Sequence, residues 1–256
     1  CPGFIDAHSH ADLTLFREDH ARLLEPLVRQ GITTFVGGNC GMALSPVTRR
    51  NRDAIATYLE VFTQMDFDRD VRWESTSEFM GFVEERGLLL NAALLAPHGV
   101  MRTSASGLSR RPCSHEEIGA MKGLLAESME AGAFGLSAGL QYFPGSSAET
   151  SEVVELAKVL APYEGVFACH LRSYTNTTLG RAVAEVGEVA RVNGIRGHVS
   201  HIFSIPWFGP LHRPLLKGLK WLARHPRAAL RFIPGPLLDM EMERIIGYLD
   251  GEREKG

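Results

Sequence analysis

The feature that most constrains this chain is a repeated alternation of short apolar runs with stretches of helical periodicity. Strand-like runs are read in the segment before His8, and at Ile32–Val36, Leu88–Leu95, Phe134–Leu140, Val166–Cys169, Gly197–His201 and Ala229–Ile233. Helical patterns are read between them, near Phe16–Gln30, Arg52–Gln64, Ser77–Arg86, from Ser114 to about Ala131, and at Ser151–Leu160, Leu179–Val192 and Leu215–Arg224, with a helical tail over Leu238–Gly256. Ser114-x-x-Glu117 has the form of a capping box, which marks a helix start. Apolar strands alternating with helices predict a parallel α/β sheet covered on both faces. With 256 residues, 45% of them hydrophobic, the chain has enough apolar surface for one large core or two smaller ones.

The residues that carry chemistry fall where these strands end. The first run leads into His8-Ser9-His10, and alternation along a strand puts both imidazoles on one side. The second runs into Gly37-Gly38-Asn39-Cys40-Gly41, where glycines allow a sharp turn that presents one thiol. The fifth ends in His170 and the sixth in His201. Taken singly, Cys40 reads as a small turn residue, and His170 and His201 read as core histidines. Their shared placement favours a metal site, and imidazole with thiolate suits zinc. In a doubly wound sheet a site forms at one switch point, whereas a closed (β/α)8 barrel brings every strand's carboxyl end to one mouth. Four strands supplying ligands therefore predict a TIM barrel. Seven strands are read, so the expectation is a barrel truncated after strand seven.

Other candidates carry weaker expectations. His98 follows Pro97 and reads equally as a loop-shaping residue. His198 is three residues from His201 and is expected on the opposite face; Cys169 is expected in the core, and His20, His115, His212 and His225 at the surface. Arg172 either holds a substrate carboxylate or pairs with an acid. The net charge of −3, with acids and bases intermixed, shows no basic stripe for nucleic acid. No apolar run approaches the roughly 18 residues that span a bilayer. Four widely spaced cysteines (Cys1, Cys40, Cys113, Cys169) do not form a disulfide pattern and predict a reducing, cytoplasmic setting. Oligomeric state is not readable.

Pro2-Gly3-Phe4-Ile5-Asp6-x-His8-x-His10 resembles the first-strand signature of the amidohydrolase superfamily. Gly38-Asn39-Cys40-Gly41, the stretch from Gly132 to Gly145, His170-Leu171-Arg172-Ser173 and Ser200-His201 resemble its D-aminoacylase (N-acyl-D-amino-acid deacylase) branch. The resemblance implies a metal-dependent amidohydrolase barrel over residues 1–256, with strand eight and a small β domain outside this chain. It implies a tight zinc on Cys40, His170 and His201, and a weaker second position on His8 and His10 bridged by Cys40. His98, Arg102, Tyr142 and Arg172 are implied on the substrate side, and the implied reaction is hydrolysis of a small-molecule N-acyl-D-amino acid. The family's aspartate base ends strand eight; Asp6, Asp12 and Asp239 do not occupy its place. Two departures stand out. Phe203 replaces a usual lysine, and Tyr174 stands where an acid is common. A cyclic-amide hydrolase such as a hydantoinase, or a non-catalytic metal-binding relative, are the alternatives.

Overall fold

Seven parallel strands organise the chain in a computed structural model that describes residues 2–205, 209–211, 214 and 245–255. Strands β1 (Phe4–Asp6), β2 (Ile32–Gly37) and β3 (Asn91–Leu94) pair in that order, and β4 (Ala96–Pro97), β5 (Gly135–Gly139), β6 (Val166–His170) and β7 (Arg196–Ser200) follow in a second set. Every pairing is parallel and joins consecutive neighbours.

The two sets meet in one stretch of chain. The third expected strand, Leu88–Leu95, divides into β3 and β4 around Leu95. Leu95 N–H donates to Gly37 O at 3.0 Å, while Phe134 N–H donates to Leu94 O at 2.9 Å, so the split stretch ties both sheets together. Pro97 has no N–H to give a ladder, which keeps β4 short.

The crossovers are α1 (His20–Arg29), α2 (Arg52–Thr63), α3 (Phe67–Asp70), α4 (Thr76–Arg86), α5 (His98–Ser106), α6 (His115–Glu130), α7 (Thr150–Ala157) and α8 (Leu179–Asn193). The capping box expected at Ser114 forms: its Oγ accepts from Glu117 N–H at 3.2 Å, and its N–H donates to Glu117 Oε2 at 2.7 Å. A second box, Ser75 with Glu78, starts α4. Helix α5 was not legible. All residues from His98 to Ala105 are buried, so the segment has no polar face and no amphipathic period. One core packs α5–α8 against β4–β6 through Leu136, Phe167, Leu156 and Val186; another gathers Phe35, Ile55, Leu59, Trp73 and Phe79 around β2.

Helix α1 begins at His20 rather than Phe16, and His20 corrects a surface expectation. Its ring is buried, with Nδ1 and Nε2 each 3.0 Å from a backbone carbonyl, those of Arg17 and Gly87. It thereby fastens the start of α1 to the end of α4. The expected helix at Leu215–Arg224 and strand at Ala229–Ile233 lie outside the described residues, as does Asp239. Residues 245–253 are helical, within the expected tail.

Candidate metal centre

The first ligand pair sits just beyond β1. Asp6 Oδ1 accepts from His8 N–H at 3.2 Å, and Ser9 N–H donates to Val36 O at 3.0 Å, so the segment bends alongside the end of β2. The His8 and His10 rings are 5.5 Å apart, edge to face. Strand alternation is not what places them, because the strand has already ended.

Cys40 lies in a turn that few sequences can make. Gly38 (φ +72°), Cys40 (φ +58°) and Gly41 (φ +72°) all adopt left-handed backbone. A Cβ on Gly38 would stand 2.2 Å from Leu95 O, so the turn lies directly against the split strand. Side chains hold it from several directions. Asn39 Nδ2 donates to Val36 O at 2.8 Å, Ser137 Oγ accepts from Gly41 N–H at 3.0 Å and donates to Gly38 O, and Tyr142 OH donates to Cys40 O at 2.5 Å. A left-handed non-glycine residue so fully braced is the kind of strain found at functional sites.

His170 closes β6 and His201 follows β7 at φ +38°. Cys40 Sγ is 3.5 Å from His8 Nε2 and 3.5 Å from His201 Nε2, and His201 Nε2 is 3.0 Å from His170 Nδ1. Among the described residues, His8, Cys40 and His201 form the group whose ligand atoms all lie within 4.8 Å of one another. A tetrahedral zinc with bonds of about 2.3 Å to sulfur and about 2.0 Å to nitrogen would separate S from N by about 3.5 Å. The spacing and the donor types therefore fit that ion. The buried Nδ1 atoms of His8 and His10 have no hydrogen-bond partner. Of the five sequence-derived ligands, His8, Cys40 and His201 meet as one group; His170 reaches it through His201, and the His10 ring stands beside that of His8.

Burial and mutual repulsion set the protonation of this cluster. Burial first, then His201 and His10, lower His8 to about 4; burial and His201 lower His170 to about 4. Burial pushes the Cys40 thiol up to about 11, against a hydrogen bond to Tyr142 that favours the thiolate. At neutral pH the metal-free site thus has the lone pairs of His8 and His170 available and a thiol proton to lose from Cys40. Metal binding requires the thiolate, so rising pH favours binding. The expected result is that divalent-metal affinity climbs about tenfold per pH unit between about pH 7 and 10, with one proton released per ion. Cys40→Ser should flatten that slope; titration calorimetry in buffers of different ionisation enthalpy reads both quantities. A flat wild-type profile would remove Cys40 from the ligand set.

His198 lies within β7 and is exposed, two residues before the strand ends at Ser200 and the backbone turns to positive φ at His201. Cys169 is buried in the core as expected.

The residues implied on the substrate side divide. Tyr142 borders the cluster, its ring edge-on to His170 at 5.0 Å. Arg172 grips Glu185 of α8 through Nε (2.9 Å to Oε2) and a terminal nitrogen (2.7 Å to Oε1), which realises its ion-pair alternative. His98 and Arg102 are corrected: both are wholly buried, and each donates to Glu152 Oε1, at 2.9 and 3.0 Å. Neither has surface to offer a substrate. Gln141, whose Oε1 accepts from His170 Nε2 at 2.8 Å, was missed; a lone glutamine beside a glycine-rich turn carries no sequence signal.

Parallel crossover strands with a histidine–cysteine cluster beyond their carboxyl ends define an α/β protein with a candidate metal centre. Its homologues are the D-aminoacylases and N-acyl-D-amino-acid deacylases. The chain is 32% identical to a D-aminoacylase of Alcaligenes xylosoxydans xylosoxydans over 210 residues, 81% of this chain and 41% of that protein. It is 35% identical to an N-acyl-D-glutamate deacylase of the same organism over 200 residues, 78% of this chain and 39% of that one. An N-acyl-D-glutamate deacylase from Bordetella bronchiseptica, solved with zinc and a phosphonate inhibitor, superposes with a TM-score of 0.70 at 29% identity, covering 91% of this chain and 46% of the other. A crystal structure of D-aminoacylase gives 0.69 at 28% identity, over 86% and 44%. No family model matches. The chain spans about two fifths of the length of these curated relatives.

Proposed function

We propose that this chain contributes the metal-binding part of a (β/α)8 barrel that hydrolyses N-acyl-D-amino acids to a carboxylate and a free D-amino acid. The observation that carries the reading is Cys40 Sγ standing 3.5 Å from both His8 and His201, beyond the ends of strands that run in one direction. Parallel neighbours in chain order, β1-β2-β3 and then β4-β5-β6-β7, follow the order of a barrel. Residues 1–256 are read as belonging to one such domain.

Cys40, His170 and His201 would hold a tight zinc, and His8 and His10 a weaker second position. A sulfur equidistant from one histidine of each set is placed to be shared between them. When bound, the ion polarises the amide carbonyl and lowers the pKa of water toward about 7. The protein's own part is to hold the ligands in register through the braced turn at Cys40, and to wall the substrate side with Tyr142. Asp12 is buried, and burial pushes its carboxyl up to about 7, yet a Cβ on Gly37 would touch it, so it packs against β2 and is not assigned the base. The cyclic-amide alternative is not favoured. Such relatives use a lysine at a strand end, and the described lysines 122, 158 and 255 sit on or beside helices, paired with Glu155 or Glu252.

The thiols of Cys40, Cys113 and Cys169 are free, which supports a reducing, cytoplasmic setting. No described helix is long and apolar enough to cross a membrane. The test is hydrolysis by the zinc-loaded protein of paired N-acyl-D- and N-acyl-L-amino acids, spanning neutral and acidic side chains. Preference for the D series of at least about 100-fold is expected, a difference of about 3 kcal/mol in transition-state binding. Equal turnover of both series overturns the stereochemical reading, and ring opening of hydantoins alone would replace the substrate class.

A further inference from the structure

Two residues that depart from the family pattern, Tyr174 and Phe203, meet in the structure. The segment after β6 and the segment after β7 are joined by backbone: Ile205 N–H donates to Tyr174 O at 2.7 Å, and Asn176 N–H donates to Ile205 O at 3.0 Å. Across this junction the two rings stack, with centroids 4.3 Å apart and planes within 1°. Tyr174 is fully buried, and its hydroxyl is shared among three groups. Leu171 N–H donates to it at 2.9 Å, His201 Nδ1 is 3.1 Å away, and Ser200 O is 3.4 Å away. The opposite nitrogen of His201 is the one that faces Cys40 and His170.

We propose that Tyr174, clamped by Phe203, is a positioning residue that holds His201 with Nε2 directed into the metal cluster and sets which of its nitrogens carries the proton. A phenol oxygen has one proton and two lone pairs. Leu171 N–H occupies one lone pair. The hydroxyl then has two options: it donates to His201 Nδ1, or it accepts from Nδ1–H and turns its own proton to Ser200 O. In the first, the proton of His201 sits on Nε2 and points at His170 Nδ1, whose ring is fixed by donating Nε2–H to Gln141. In the second, the Nε2 lone pair is free for a ligand. The same residue supports the metal-free and the metal-binding tautomer, which a carboxylate, an acceptor only, does not. Partners of this kind orient metal-ligating histidines and commonly govern affinity by factors of about 10–100.

This inference rests on the metal reading of the cluster, and the experiment separates the two. Zinc affinity is measured by chelator competition for wild type, Tyr174→Phe, Phe203→Leu and Cys40→Ala, with ¹⁵N and ¹H spectra of the His201 ring recorded with and without zinc. Tyr174→Phe keeps the stacked ring and loses only the hydroxyl. The expected results are a 10–100-fold loss of affinity for Tyr174→Phe, a smaller loss for Phe203→Leu, and near-complete loss for Cys40→Ala. In wild type, zinc should move the His201 proton from Nε2 to Nδ1, giving a protected Nδ1–H signal that Tyr174→Phe abolishes. A structural role alone would leave that tautomer change unaltered. Unchanged affinity and an unchanged Nδ1–H signal in Tyr174→Phe, with zinc lost in Cys40→Ala, overturn the proposal and leave the metal site standing. Full zinc retention by Cys40→Ala overturns the metal reading and the proposal with it.

Discussion

Cys40→Ala is expected to strip the protein of metal while leaving its fold intact. Four-ligand zinc sites are worth about 10–16 kcal/mol, so one of four donors carries on the order of 3 kcal/mol, a factor of on the order of 100 or more in affinity. Cys40 should exceed an equal share, because its thiolate is the anionic donor of the cluster and stands at 3.5 Å from both His8 and His201. The backbone need not suffer: alanine tolerates the left-handed conformation as poorly as cysteine does, and the bracing by Asn39, Ser137 and Tyr142 runs through other atoms. Metal content after gel filtration, together with far-UV circular dichroism, checks both halves. Zinc at the wild-type ratio in the variant would overturn the reading of this cluster as the metal site. An unfolded variant would mean that the turn, rather than the ligand, was damaged, and Cys40→Ser would then report on the ligand.

The second large effect lies away from the cluster. Glu152→Gln is expected to lower stability by about 3–5 kcal/mol, because it leaves the guanidinium of Arg102 buried without its counter-charge. In the native fold Arg102 also donates to the carbonyls of Ser109, Arg111 and Ser147, so one cation draws two loops onto α5 and α7. For a domain of this size the melting temperature should fall by on the order of 10 °C. Burial is the largest influence on Glu152 and pushes its carboxyl up, but His98 and Arg102 together outweigh it and hold the carboxyl below its ordinary value of 4.5. The sign follows. The contribution is complete above that ordinary value and is lost as the pH falls through the depressed one, so the acid limb of the stability profile should be shallower in Glu152→Gln. Replacing the pair together, Arg102→Met with Glu152→Leu, should recover much of the loss. A melting temperature for Glu152→Gln within roughly 1 °C of wild type would show that the network is energetically idle.

The treatment of His98 and Arg102 shows where reading by motif goes astray. Both follow a strand end, the position that in a barrel supplies chemistry, and in a sequence they look like His170 and Arg172. What separates them is Glu152, fifty residues later on another helix, which takes both side chains into the protein. No local pattern announces that partner. The helix α5 is invisible for a second reason, since a segment buried on every side has no polar face for a period to display.

By itself the sequence determined the parallel α/β class, the order of its elements and the five ligand candidates. Those properties follow from local rules: apolar runs of strand length, capping residues, and donors placed next to strand ends. The tertiary structure decided which candidates meet, and at what distance. Convergence of His8, Cys40, His170 and His201 depends on parallel strands delivering their carboxyl ends to the same side, and on a glycine-bounded turn resting against Leu95. It also decided that Tyr174 and Phe203, met separately along the chain as two departures from a pattern, act as one stacked pair behind His201. Side-chain partners separated by tens of residues are fixed by packing, and packing is a property of the folded chain.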